Sequence, residues 1–446
     1  MRQQRTIQAS LFDLFALHEI GRELKAMSAW LDEQPELVLR VAADLCRIGV
    51  RRTGRQGLSA ECVLRCALLK QHRQLSYEEL AFHLEDSASF RAFARAPLAW
   101  TPKKSVLQKT ISAIRAETWE AINRTVLTGA RQEKVETGDR IRLDSTVTAA
   151  LMHEPSDSSL LWDAVRVMAR MLEIAAALAG GTKIAWHDRR RAAKRRAQAI
   201  QYTRGRPKRV QQYRDLIKIT RAMLADLDRA AAQLEPALDP MIELWGTTRR
   251  HYRPLIERIL SQTERRVLGG EAVPAGEKIV SLFEEHADII VKGGRHTQYG
   301  HKLNLVAGRS GLILDLVIEA GNPADSERFL PMLERHITFY GRAPRQAAAD
   351  GGYANLHNLN QAKARGVGDM AFHKKAGLRI EDMVKSRWVY RKLRNFRAGV
   401  EAGISCLKRA YGLGRCTWRG LDHFRAYVWS SVVAYNLALF ARIRPT

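Results

Sequence analysis

The order of local patterns along this chain narrows its architecture more than any single motif. A β-like run, Arg-Ile-Arg-Leu-Asp at 140–144, sits in a stretch over 138–150 that alternates polar and apolar residues and turns β-branched after the aspartate. A helical pattern follows, from near Ser158 to about Gly269-Gly270. Strand patterns return at 289–291, 299–307 and 312–319, and Gly308-Arg309-Ser310-Gly311 between the last two suits a hairpin turn. Next come a helix over 325–340, a strand ending at Asp350, another helix, a short strand at 370–372, and helices over about 388–442. This order predicts an α/β fold, a mixed sheet flanked by helices, with chemistry expected at strand ends.

Upstream of the first strand, residues 10–135 read as helical. Leu64, Leu68 and Leu69, then Leu80, Phe82 and Leu84, recur at helical spacing, and Ser76 with Glu79 forms a capping box. The segment 57–93 therefore predicts two helices joined by His72-Arg73-Gln74-Leu75. Such a pair is either a helix-turn-helix that enters a major groove or a hairpin that merely packs.

Lys and Arg number 73 against 47 Asp and Glu, a net charge of +26, and 46% of residues are hydrophobic. The chain can bury a core, and its basic excess points to a polyanionic partner, nucleic acid before an anionic membrane, rather than a merely solvated basic surface. No run of 18 apolar residues is apparent, which predicts no transmembrane helix. Met-Arg-Gln-Gln-Arg-Thr leads into a segment without the apolar centre of a signal peptide, so the expected location is the cytoplasm. The five cysteines, Cys46, Cys62, Cys66, Cys406 and Cys416, contain no C-x-x-C pair. Cys62 and Cys66, sharing a helix face beside Leu69, read as small apolar residues of a reduced core.

Three acids stand in three kinds of local sequence. Asp144 lies in the first strand run, Asp350 closes Ala-Ala-Ala-Asp before Gly351-Gly352-Tyr353, and Glu401 sits in the helical stretch 396–409. Carboxylates hold hard divalent cations, and two such ions about 4 Å apart stabilise both the attacking and the leaving oxygen of a phosphodiester. Arg397 and Lys408, at offsets −4 and +7 from Glu401, share its helix face; they either contact phosphate or form a solvated basic face with a Glu–Arg pair. Other acids compete. A helix N-cap accounts for Asp157, Asp163 follows it, and Asp315 on its strand faces either the site or solvent. His296 and His301 bracket a glycine-containing turn with no third zinc ligand, which predicts solvated loop histidines. Between 183 and 209 lie eleven Lys or Arg and one acid, Asp188. There Arg204-Gly205-Arg206-Pro207-Lys208 copies the core of an AT-hook, an extended segment that lays arginines into a narrow A·T minor groove. The alternative is a basic interhelical loop stopped by proline, for which phosphate contact needs only charge. Trp162, Trp186 and Trp245 are spaced for helix packing, with stacking on extruded bases the lesser alternative.

Together these residues resemble the DDE transposases of bacterial insertion sequences, whose catalytic domain has a ribonuclease-H-like fold. Leu143-Asp144-Ser145-Thr146-Val147, with His153 to Leu161 behind it, resembles the family's first strand and its Pro-x-Asp-Ser segment. Ala349-Asp350-Gly351-Gly352-Tyr353 resembles the Asp-x-Gly-Tyr of the fourth strand. Arg397, Glu401 and Lys408 match the signature Tyr-x2-Arg-x3-Glu-x6-Lys, but Arg394 occupies the tyrosine position and Tyr390 lies too early to fill it. Segment 57–93 resembles the N-terminal helical domain, and the likeness spans roughly 40–440 except the basic insertion. The division it implies is a helical DNA-binding domain at 1–135, the first catalytic strand at 136–155, the basic helical insertion at 156–275 and the rest of the catalytic domain at 276–446. The resemblance implies two Mg²⁺ ions, or Mn²⁺, on Asp144, Asp350 and Glu401. It further implies cleavage at terminal inverted repeats, attack of the freed 3′-OH on target DNA, a homodimer on double-stranded DNA and a place on the bacterial nucleoid. Arg397, Lys408, Arg204, Arg206 and Lys208 are the expected DNA contacts. A ribonuclease-H-like nuclease that cleaves without joining, or a transposase-derived DNA-binding protein, are the alternatives; the intact acids argue against the second.

Overall fold

The structure, a computed structural model, describes residues 18–47, 57–97, 99–180, 183–234, 239–292, 296–373 and 377–444. Parts of the expected N-terminal helical region, 10–17 and 48–56 among them, lie outside these. The chain divides into two compact units, Met1–Leu151 with Gly300–Thr446, and Met152–Tyr299.

The first unit opens with helices α1 (Glu19–Asp32), α2 (Pro35–Arg47), α3 (Ala60–His72), α4 (Tyr77–Asp86), α5 (Ala88–Ala94), α6 (Lys104–Ile111) and α7 (Ala116–Gln132). Ser59 caps α3 by accepting from the Cys62 N–H, and the Ser76–Glu79 capping box starts α4. Ser87 ends α4 and caps α5, a break that apolar periodicity over 57–93 does not reveal. Cys62 and Cys66 are buried free thiols, as their helical spacing predicts. Strand β1 (Arg140–Ala149) follows, and the chain leaves for the second unit.

That unit holds α8 (Asp157–Leu178), α9 (Arg190–Tyr202), α10 (Arg206–Leu234) and α11 (Pro240–Thr263), then a π-turn at Glu264–Leu268 and strand β2 (Asp288–Lys292). Its core gathers Leu161, Met168, Leu172, Leu216, Met223 and Ile259. Trp245 donates to the Met171 carbonyl at 2.8 Å, and Trp162 and Trp186 pack half-buried on the same core, so these tryptophans serve helix packing. The expected N-cap is off by one residue. Ser156 caps α8 in a box with Ser159, while Asp157 is already helical and receives two 3.0 Å hydrogen bonds from Arg266. The AT-hook-like motif is not an extended segment either. Arg206, Pro207 and Lys208 form the first turn of α10, where a proline's missing N–H costs nothing, leaving Arg204 and Gly205 as the turn.

The chain returns through β3 (His296–Ala307) and β4 (Ile313–Ile318). Then come α12 (Asp325–Tyr340), β5 (Gln346–Ala349), α13 (Leu356–Ala364), β6 (Asp369–Phe372), α14 (Ile380–Met383), α15 (Arg387–Ala410) and α16 (Leu421–Ile443). The six strands make one open mixed sheet in the order β2-β3-β1-β5-β6, with β4 also on β3. β3 runs antiparallel to β1 and β4, whereas β5 and β6 run parallel beside β1, which is the ribonuclease-H-like arrangement. Buried Glu136 braces the β3–β4 hairpin by accepting from the Ser310 N–H and hydroxyl at 2.8 and 2.7 Å.

Two expectations fail in these elements. His296 and His301 are strand residues, not loop residues, and His301 is buried, its Nδ1 3.0 Å from the Glu319 carbonyl and its ring edge-on to Phe424. And α16 is long and apolar enough to cross a membrane by length and composition, although no such stretch is expected. It is mostly buried, packs on α7, α3 and α1, and forms the centre of the unit's core. Its Asn436 accepts from the Ile313 N–H at 2.8 Å and donates to the Ile313 carbonyl at 2.7 Å, satisfying the start of edge strand β4.

Candidate active site at the ends of strands β1 and β5

The register of β1 on β5 pairs Leu143 with Ala349, so the next residue on each strand is an aspartate. Asp144 and Asp350 thus leave neighbouring strands side by side, at a strand spacing of about 4.8 Å. Asp144 is still within β1, opposite Leu305 of β3, and its Oδ1 accepts from the Ser145 N–H at 2.8 Å. Asp350 stands where β5 gives way to a 3₁₀ turn at Gly351–Tyr353. The turn needs Gly352, because a Cβ there would press on the Asp325 carboxylate.

Tyr353 anchors that turn from below. Its hydroxyl donates to Asn304 Oδ1 at 2.5 Å, and Asn304 Nδ2 donates to Glu319 at 2.8 Å. Burial first, then the negative potential of Asp325, Asp144 and Asp350, pushes the tyrosine hydroxyl well above its ordinary range. It therefore remains a protonated donor. Ser145 donates to Asp325 Oδ2 at 3.2 Å, and Lys302 pairs with Asp325 Oδ1 at 2.7 Å. These groups hold the ground on which the two strand aspartates stand.

The third acid arrives on α15. Ser386 caps this helix, and the Tyr390 hydroxyl donates to the Phe372 carbonyl at 2.9 Å, pinning the first turns to the end of β6. The helix packs across β1, β5 and β6. Gly399 lets Arg142 lie close against it, where the guanidinium bonds the Phe396 carbonyl at 2.9 Å. Arg397 reaches inward from the same turn. It bonds Asp144 at 2.8 Å, Asp350 at 3.4 Å and Glu401 at 2.6 Å. The solvated-face alternative for Arg397 fails, since its side chain is 8% exposed. Side-chain exposure rises from 9% at Asp144 through 37% at Asp350 to 63% at Glu401, so the acids form a floor, a wall and a rim open on the Glu401 side.

Three carboxylates from three elements converge on one cation. The donor set suits a hard divalent ion in kind. The guanidinium stands among the acids, and among the described residues no group of three His, Cys, Asp or Glu side chains is close enough to hold a metal directly. Metal ligation would require the acids to close up as Arg397 yields.

The other residues singled out from sequence lie elsewhere. Lys408 is two turns further along α15, about 10 Å from Glu401 along the axis. Arg394, at the tyrosine position of the signature, is exposed on α15. Asp315 is held by Arg335 at 2.6 and 2.8 Å, and Asp163 by Arg166 at 2.5 Å, so neither joins the three acids. Arg204, Arg206 and Lys208 are exposed on the second unit. Sequence reading missed Asn304 and Lys302, and quoted Tyr353 only as part of the motif that follows Asp350. The available signal was a polar residue between apolar neighbours, as Asn304 is between Leu303 and Leu305.

The family described as Transposase DDE domain matches residues 283–437, and the family described as Transposase domain (DUF772) matches residues 12–115. Asp350, Arg397, Glu401 and Lys408 fall in the first match, and Asp144 falls between the two. Neither the curated proteins nor the solved structures gave a match. With a Transposase domain (DUF772) and a Transposase DDE domain matched in one chain, on a ribonuclease-H-like sheet, the chain belongs to the DDE transposases of insertion sequences.

Proposed function

We propose that this protein binds the terminal inverted repeats of an insertion sequence, cleaves DNA strands there and joins them to target DNA, with Asp144, Asp350 and Glu401 as its catalytic acids. The observation that carries this reading is the convergence of these three carboxylates, from β1, β5 and α15, on Arg397. Mg²⁺ or Mn²⁺ held by the three acids supplies, when bound, a water of lowered pKa and a counter-charge for the leaving 3′ oxygen. Asp144, fixed by the Ser145 N–H, sets the depth of the site. Glu401 at the rim meets the scissile phosphate last and moves most freely. Arg397 offsets the mutual repulsion of the acids and offers two N–H groups to a phosphate once they turn away. Lys408 on the same helix, and Arg204, Arg206 and Lys208 on the insertion, neutralise flanking phosphates. Cutting two ends together calls for a homodimer, and the DNA substrate calls for a place on the nucleoid.

The test incubates purified protein with end-labelled duplex from the element terminus and Mg²⁺. Nicks at the element end and joined products are expected, with both lost in Glu401→Gln while duplex binding persists. Unchanged cleavage by that variant would remove Glu401 from the catalytic set. Nicks without joined products would leave a nuclease, and binding without cleavage in either Mg²⁺ or Mn²⁺ a DNA-binding derivative.

A further inference from the structure

The α3–α4 turn and the segment that follows α15 flank a half-open cavity of about 650 Å³. Lys70, Gln71 and Gln74 line one side, and Lys408, Arg415 and Tyr427 the other. The two sides are tied together. Gln71 donates to the Tyr411 carbonyl at 2.9 Å and to Ser431 at 2.6 Å, and Gln74 donates to the Arg409 carbonyl. The cavity is thus a built feature, braced by side chains that reach across it.

Its lining carries three cations, Lys70, Lys408 and Arg415, and one acid, Glu79. Lys70 is 6% exposed, and among the described residues its ammonium makes no hydrogen bond or ion pair; the Tyr77 ring, 4.8 Å away, is the group it faces. The Tyr77 hydroxyl is itself buried and, among the described residues, has no hydrogen bond. The acid on the wall, Glu79, is exposed and spent on the Ser76 N–H at 2.7 Å as half of a capping box. Burial pulls the Lys70 ammonium down to about 8. A buried ammonium whose acidic neighbour, Glu79, is exposed and committed to a helix cap is costly and draws a counter-charge from outside the chain. The volume suits a polar group the size of a phosphodiester with part of its sugar. Lys408 places the cavity about 10 Å along α15 from Glu401, roughly three phosphate steps of one strand at about 3.4 Å each.

We propose that this cavity binds a DNA backbone phosphate a few nucleotides from the scissile bond, with Lys70, Lys408 and Arg415 as its cations. The assignment rests on the transposase reading and extends it: the N-terminal helical hairpin and the catalytic helix grip the same strand.

The experiment measures anisotropy of a fluorescein-labelled random-sequence DNA duplex on the full-length protein across a range of NaCl concentrations. Lys70→Met keeps the aliphatic stem and removes the charge. It is expected to weaken binding about tenfold and to lower the slope of log Kd against log salt by about one. Its thermal midpoint should hold or rise, since a desolvated charge is gone, and Lys70→Arg should restore the slope. Should Lys70→Met not fold, Arg415→Gln reads the same slope. Wild-type protein that binds no duplex overturns the transposase reading and this site with it. Wild-type binding with an unaltered slope in the variants overturns this site alone.

Discussion

Replacing Arg397 by glutamine removes the cation on which three acids converge, and the structure sets the size of the effect. Asp144 and Arg397 are nearly buried, with side chains 9% and 8% exposed, so breaking their pair strands a desolvated carboxylate. Such a loss costs about 3–5 kcal/mol. The bond to Glu401, 63% exposed, adds only about 0.3–0.5 kcal/mol. Asp144→Asn should cost less, about 1–2 kcal/mol, because Arg397 keeps Asp350 and Glu401 as partners. The double variant carries no stranded aspartate at 144 and should be more stable than Arg397→Gln alone. Urea unfolding in EDTA, followed by circular dichroism, measures all four corners of the cycle. Added Mg²⁺ or Ca²⁺ should raise the midpoint of Arg397→Gln more than that of wild type, since a divalent ion then replaces the missing charge. A double variant as unstable as the sum of the singles, with no extra metal response in Arg397→Gln, would refute the view of Arg397 as the counter-charge of the acids.

Two further outcomes follow from buried groups in the same unit. Burial drops the His336 imidazole from 6.5 to about 4, while its Nε2–H donates to the Gly138 carbonyl at 3.0 Å. A depressed folded-state pKa means that the unfolded chain takes up the proton first. The stability from this group is therefore present above pH 6.5 and lost as pH falls toward 4, up to about 3 kcal/mol. His336→Asn should show a shallower loss of urea midpoint over that range, and an identical pH dependence would sink the argument. Gly300 lies where β3 meets β1, and a Cβ there would collide with the Thr148 carbonyl oxygen. Gly300→Ala should cost about 1–3 kcal/mol, with strand cleavage falling as β1 shifts; wild-type stability in urea would show that the sheet yields freely at that point.

Much of the sheet was legible because its strands are short, apolar and punctuated by turn residues. The run ending at Asp350 and the Gly308–Gly311 turn give their elements away by composition alone, and Glu401 with Arg397 is written in a four-residue offset. What sequence spacing does not carry is reach across the fold. Arg397 is legible as a neighbour of Glu401, yet its bonds to Asp144 and Asp350 depend on how α15 crosses the sheet. His301 looked like a loop residue because glycine beside it suggests a turn; here Gly300 instead permits two strands to approach. Asp157 looked like a cap because aspartate and serine serve equally well there, and Arg266, distant in sequence, decided the matter. The proline after Arg206 reads as a stop, but in the first turn of a helix it is a start. The apolar content of α16 is spread among Ser430, Ser431 and Asn436, so no unbroken run announces it.

The rung that pairs Ala149 with Gly300 has a consequence for how the chain is partitioned. The chain departs for the second unit just after one of these residues and comes back at the other, so both seams of that large insert lie on a single step of the ladder. Along the chain, Met152–Tyr299 is the link between two antiparallel neighbours, grown to the size of a domain and carrying β2 and the start of β3 within it. The strands that bear Asp144 and Asp350 pair with each other directly, through residues that all lie in the first unit. The length of the link and the placing of the acids are therefore set by different parts of the chain.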